Sequence, residues 1–156
     1  MSALGGVNIA FNGLILAVRQ LLDEWKPGEL NSEREYQESL LDFLQQILPG
    51  CIVRKDYPEA GALIDIYLKR PGFFGDDEVF FELKHNLSTK SEFTRLIGQI
   101  MELEPKKRKV VVVLCGKTER SMIQRLEEHF KEQFNEGYNP LMPGWNAEPH
   151  MTIILK

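Results

Sequence analysis

The segment Phe80-Phe81-Glu82-Leu83-Lys84 sets a carboxylate and an ammonium two residues apart. In an extended strand successive side chains alternate between faces, so Glu82 and Lys84 share one face while Phe81 and Leu83 occupy the other. Alone the pattern carries little weight, because a Glu-x-Lys triplet arises by chance in about half of chains of this size and most often makes a plain ion pair. Asp65 changes that weight. It stands inside Ala62-Leu63-Ile64-Asp65-Ile66-Tyr67, an otherwise apolar stretch in which a charge is costly unless it is paired or metal-bound. A turn at Pro71-Gly72 brings Asp65 beside Glu82 on an antiparallel neighbour. Two carboxylates about 5 Å apart repel by roughly 3 kcal/mol at an effective dielectric of about 20, a penalty that a bound cation turns into affinity.

A third acid is available upstream. Glu33 lies three and seven residues before Tyr36 and Leu40 and extends their apolar helical stripe, which points it inward. Glu35 is accounted for by capping and Glu38 by solvent exposure, so the three rank Glu33, Glu35, Glu38 as the helix acid.

The elements that must hold these residues follow from periodicity and punctuation. Phe11, Leu14, Ile15, Val18, Leu22 and Trp25 predict an amphipathic helix over residues 9–25, ended near Pro27-Gly28. Ser32 as N-cap, with Glu35 three residues on, opens a second helix that runs to Leu48 before Pro49-Gly50. Strands are expected over 51–56, 62–69 and 78–84, then a helix over 91–103 and a buried strand over 110–115, whose apolar residues are unbroken. A helix over 119–134, a Gly- and Pro-rich loop over 135–150 carrying Tyr138 and Trp145, and a last strand over 151–155 complete the chain.

The 156 residues, 43% of them hydrophobic, suffice for one core, and a single domain is expected: a helical extension over 1–28, a core over 32–115 and a carboxy-terminal part over 119–156. Cys51 and Cys115 stand apart from each other and from His or Cys at ligand spacing, which argues against a zinc site or disulfide framework and fits a reducing cytoplasm. The first apolar stretch is too polar to span a bilayer and has no basic leader, so no membrane association is expected. A formal charge of -4 argues against nonspecific nucleic-acid binding, and any such contact needs a local basic patch.

Helix with Glu, strand, strand with Asp65, strand with Glu82-Leu83-Lys84, helix, strand: this order resembles the core of the restriction-endonuclease-like PD-(D/E)xK nuclease superfamily, including the Holliday-junction resolvases of archaea, over residues 32–115. Ile64-Asp65 replaces the usual Pro-Asp, and Gln99 matches a helix Gln found in some relatives, although Leu103 stands where those carry Tyr. The resemblance implies an α/β (α+β) fold with an αβββαβ core, its mixed central sheet flanked by helices. It implies Mg2+ or Mn2+ held by Asp65, Glu82, Glu33 and the Leu83 backbone carbonyl, Lys84 orienting or helping to deprotonate the attacking water, and Gln99 as a further catalytic candidate. The expected reaction is hydrolysis of phosphodiester bonds in nucleic acid, DNA first, with a homodimer as a common arrangement. The competing expectations are a noncatalytic nucleic-acid- or protein-binding module that keeps the scaffold, and a subunit whose acids serve only as a structural ion site.

Arg54, Lys55, Lys90, Arg95, Lys106 and Lys107 are the basic residues placed to hold a phosphate backbone, although the run from Lys106 to Lys109 also reads as a solvated turn. His85 adjoins Lys84 and reads first as a loop histidine; His129 and His150 belong to no catalytic grouping. Gly116-Lys117-Thr118 resembles the end of a phosphate-binding loop, but Val111 stands where that loop requires its first glycine, so no nucleoside-triphosphate site is expected. No cofactor other than the metal is expected.

Overall fold

The computed structural model describes residues 13–59, 61–73, 75–134 and 148–156. Helices α1 (Leu14–Leu21) and α2 (Glu33–Ile47) precede strands β1 (Ile52–Glu59), β2 (Ala62–Arg70) and β3 (Asp77–His85). Helix α3 (Lys90–Glu102), strand β4 (Lys109–Cys115), helices α4 (Arg120–His129) and α5 (Lys131–Phe134) and strand β5 (Met151–Leu155) follow. The chain is thus of the mixed α and β class, with one five-stranded sheet in the order β1-β2-β3-β4-β5. The β1–β2 pair is antiparallel, and so is β2–β3, as the Pro71-Gly72 turn predicts, whereas β3–β4 and β4–β5 are parallel.

Alternation along the strands feeds two apolar layers. Phe81, Leu83, Val111, Val113 and Cys115 pack with α1 and α2; Phe80, Val110, Val112 and Leu114 pack with α3 and α4. A strand buried on both faces needs apolar residues throughout, which is why β4 is a continuous Val-rich run. Helix α2 starts where the capping chemistry places it: Ser32 Oγ accepts from the Glu35 amide at 3.2 Å, and the Glu35 carboxylate accepts from the Asn31 amide at 2.7 Å.

Several boundaries differ from expectation for identifiable reasons. Strand β1 continues through Pro58, where the sequence predicts an end at Asp56; β1 is an edge strand, the place in a sheet where proline is tolerated. The single helix expected over 119–134 is interrupted at Phe130, whose fully buried ring belongs to the α3–α4 layer while its backbone leaves α4. The first helix, expected to run to Trp25, ends at Leu21, with Leu22 as its C-cap and the chain turning before Trp25; residues 9–12, Tyr138 and Trp145 lie outside the described residues. No helix among the described residues is long and apolar enough to cross a membrane.

The loops leaving β3 and β4 are tied together. Asn86, at φ 54°, accepts the Lys117 amide on Oδ1 at 2.8 Å, and its own amide donates to the Cys115 carbonyl at 2.9 Å. Gly116, at φ 72°, lies directly beneath: a Cβ there would stand 2.3 Å from Asn86 Oδ1 and 3.0 Å from the His85 ring. Close approach of backbone to side chain therefore explains the glycine of Gly116-Lys117-Thr118 without any phosphate loop. Gly116→Ala is expected to lower stability by about 3 kcal/mol in urea unfolding, against about 1 kcal/mol for Gly28→Ala, which shares the positive φ but meets open space.

Candidate active site

The site forms where β2 and β3 part. Their pairing runs from Arg70 opposite Asp77 to Ile66 opposite Phe81, and the next step of that register sets Asp65 against Glu82. There the Leu83 amide donates to Asp65 Oδ2 at 2.8 Å. A side chain thus takes the place of a ladder carbonyl, and because one residue's N–H and C=O leave a strand on the same edge, the Leu83 carbonyl faces the same opening.

Strand β2 changes face at this point. Ile66 belongs to the α1–α2 layer and Ile64, two residues away, to the α3–α4 layer, where strict alternation demands a common side. The partner strand does the same between Val53 and Tyr57, with Asp56 at φ 49° opposite Asp65. Beyond the switch the β1–β2 arm turns over the α3–α4 layer. Tyr57 stacks on Tyr67 with centroids 4.0 Å apart, and Glu59 pairs with Arg108 at 2.8 Å on the segment that leads into β4.

Glu82 is buried, 3% exposed, and Asp65 half-buried. The two carboxyls act directly on each other, and this contact disfavours charge on both at once. Burial first, then the Asp65 charge, raises Glu82 from an ordinary 4.5 to about 8. Asp65 is raised chiefly by burial, opposed by the Leu83 amide and by Lys84, while Glu33 adds repulsion to both acids. The expected common face of Glu82 and Lys84 is present, since Phe81 and Leu83 pack in the opposite layer.

Lys84, Glu33, His85, Asn86, Glu92 and Arg95 line a cleft of about 360 Å³ beside the pair. Glu33, half-buried, is the helix acid that reaches this cleft; Glu35 is used in capping. Glu38, expected in solvent, is half-buried and forms an ion pair with Lys55. Among the described residues no three His, Cys, Asp or Glu side chains converge closely enough to hold a metal, so the acids that meet are two, with Glu33 acting on them through its charge. Gln99 lies one turn beyond Arg95 on α3, and its Oε1 is buried without a hydrogen-bond partner.

The basic residues divide. Arg95 lines the cleft and Lys90 begins the helix that carries it. Arg54 is exposed on the edge strand, two positions before Asp56, and Lys55 is engaged by Glu38. Lys106 and Lys107 precede β4, at the end of the parallel β3–β4 pair opposite to Lys84, and line a separate cavity of about 650 Å³. His85 ends β3, lines the cleft and sits 5.4 Å from the Tyr36 ring, closer to the chemistry than a loop histidine.

Two residues escaped the sequence reading. Gln37, 7% exposed, donates from Nε2 to the Asp65 carbonyl at 2.8 Å and to Asp56 Oδ1 at 3.1 Å. The signal for Gln37 was a polar residue one turn after Glu33 on the inward stripe of α2; for Asp56 it was a residue tolerant of positive φ inside a strand.

The acid pair makes stability depend on pH. Glu82 binds its proton more tightly folded than unfolded, so the contribution is full below about pH 4.5 and is lost as pH rises through about 8. In a metal chelator, the wild-type urea midpoint should fall between about pH 5 and about pH 8 more steeply than that of Glu82→Gln, which cannot ionise. Equal slopes would deny the raised proton affinity of Glu82. No family model matches the chain, and no curated protein or solved structure was found to match it.

Proposed function

We propose that the chain is a metal-dependent nuclease that hydrolyses phosphodiester bonds of nucleic acid, with DNA as the substrate. The observation that carries this reading is the pair of inward carboxyls, Asp65 and Glu82, meeting where two strands splay, with Lys84 on the same strand and Arg95 across an open polar cleft. The order α2-β1-β2-β3-α3-β4 supports it through the resemblance to PD-(D/E)xK nucleases.

The donor set fits a hard divalent cation. Asp65, Glu82 and the Leu83 carbonyl supply oxygen only, and Mg2+ is commonly held by one or two carboxylates with water completing its shell. When bound, Mg2+ or Mn2+ supplies positive charge against the phosphate and makes nearby water more acidic. The protein does the rest. Asp65 and Glu82 would present their carboxylate oxygens to the cation, the proton favoured on Glu82 passing to solvent water. Lys84 orients the attacking water and donates to the phosphate, while Arg95 holds a neighbouring phosphate oxygen. Glu33, on the cleft wall, keeps negative charge beside the pair and helps fix the position of the cation.

A second reading, a noncatalytic binding module on the same scaffold, is favoured by the absence of a three-acid cluster among the described residues. A panel of single-stranded, duplex and branched DNA and RNA, incubated with Mg2+ or Mn2+, separates the two. Asp65→Ala, Glu82→Ala and Lys84→Ala should each reduce cleavage by about a hundredfold or more while the protein stays folded. Nucleic-acid binding without cleavage, indifferent to metal and to all three substitutions, would establish the binding module instead.

A further inference from the structure

The face switch at Asp65 has a dedicated support. Strand β2 cannot aim the Asp65 carboxylate at the Leu83 amide and also continue its alternation, because Ile64 and Ile66 lie in opposite layers. The irregularity is shared with Asp56, whose positive φ is a strained conformation for a residue that carries a side chain. Such a conformation persists when neighbours over-determine it, and here the neighbour is Gln37. Its amide nitrogen has two hydrogens, and both are committed: one to the Asp65 carbonyl at 2.8 Å, the other to Asp56 Oδ1 at 3.1 Å. One buried side chain from α2 therefore fastens the two facing residues of β1 and β2 at the rung where both strands change face.

We infer that Gln37 and Asp56 are positioning residues that hold Asp65 in the orientation needed to bind a divalent cation with Glu82. The inference rests on the metal-site reading above. Neither residue ligates the cation. Gln37 fixes the main chain of Asp65, Asp56 fixes the amide of Gln37, and the carboxylate of Asp65 is thereby held in the opening between β2 and β3, with Oδ2 on the Leu83 amide. Supporting contacts of this kind ordinarily change metal affinity by about tenfold to a hundredfold when removed.

The test is calorimetric titration of Mn2+ alone into the full chain, with thermal melting of the same samples. Gln37→Leu keeps the volume and removes both donors, and should weaken Mn2+ binding by about tenfold or more. Asp56→Gly removes the acceptor while easing the positive φ, and should weaken binding in the same direction; Asp56→Asn keeps Oδ1 and tolerates the backbone, and should restore most of what Asp56→Gly loses. A purely structural role would lower the melting temperature of Gln37→Leu and leave the Mn2+ affinity of the folded protein at the wild-type value. If Gln37→Leu does not fold, the contrast between Asp56→Gly and Asp56→Asn decides. Wild-type affinity in both Gln37→Leu and Asp56→Gly would overturn the positioning role and leave the metal site standing. Equal loss in Asp56→Gly and Asp56→Asn would overturn it too. Absence of Mn2+ binding by the wild type would overturn the metal site and this role with it.

Discussion

The hydrogen bond from the Leu83 amide to the Asp65 carboxylate takes the place of a ladder bond between β2 and β3, and it sets the conditions for everything around it. To make it, Asp65 turns toward Glu82, and two acids meet in a poorly solvated opening where their charges repel. The same turn obliges β2 to change face. Because β1 is paired to β2, it changes face as well, and the cost falls on Asp56. The positive φ of Asp56 sits at this exchange of a carbonyl for a carboxylate, and the Tyr57–Tyr67 stack and the Glu59–Arg108 pair hold the β1–β2 arm beyond it.

Much of this arrangement was legible in the residues themselves. Asp65 in an apolar strand and Glu82 with Lys84 on alternate positions announced both the acids and their common strand edge, and the Pro71-Gly72 turn announced their antiparallel neighbours. Ser32 and Glu35 marked the start of α2, and the unbroken Val run marked β4 as interior. What pattern reading missed depends on backbone conformation and on contacts between distant segments. Asp56 at positive φ leaves no trace in hydrophobic spacing, and the burial of Gln37 follows from where β1 and β2 lie relative to α2. Pro58 reads as a stop because proline disrupts a paired strand; only membership of the sheet edge removes the objection.

The charged residues follow the same division between local and distant. Six basic side chains look equivalent along the chain, yet Lys55 is neutralised by Glu38, Lys106 and Lys107 stand at the far end of the β3–β4 pair, and of Arg54, Lys90 and Arg95 it is Arg95 that lines the cleft with Lys84. For a protein of net charge -4, a basic group gains its influence from position, since the field at a narrow cleft depends on the charges that line it far more than on the total.

Strand order follows chain order, β1 to β5, and this has a bearing on how the sheet is made. Each strand pairs with the one before it, so no strand has to be inserted between two that already hold each other, and the connections up to β4 are short or bridged by a single helix. Topologies rich in such sequence-near pairings fold quickly. The sheet can grow from one edge to the other, and the two acids are first confronted at the third strand, when β3 closes on β2 and before β4 has covered its other edge.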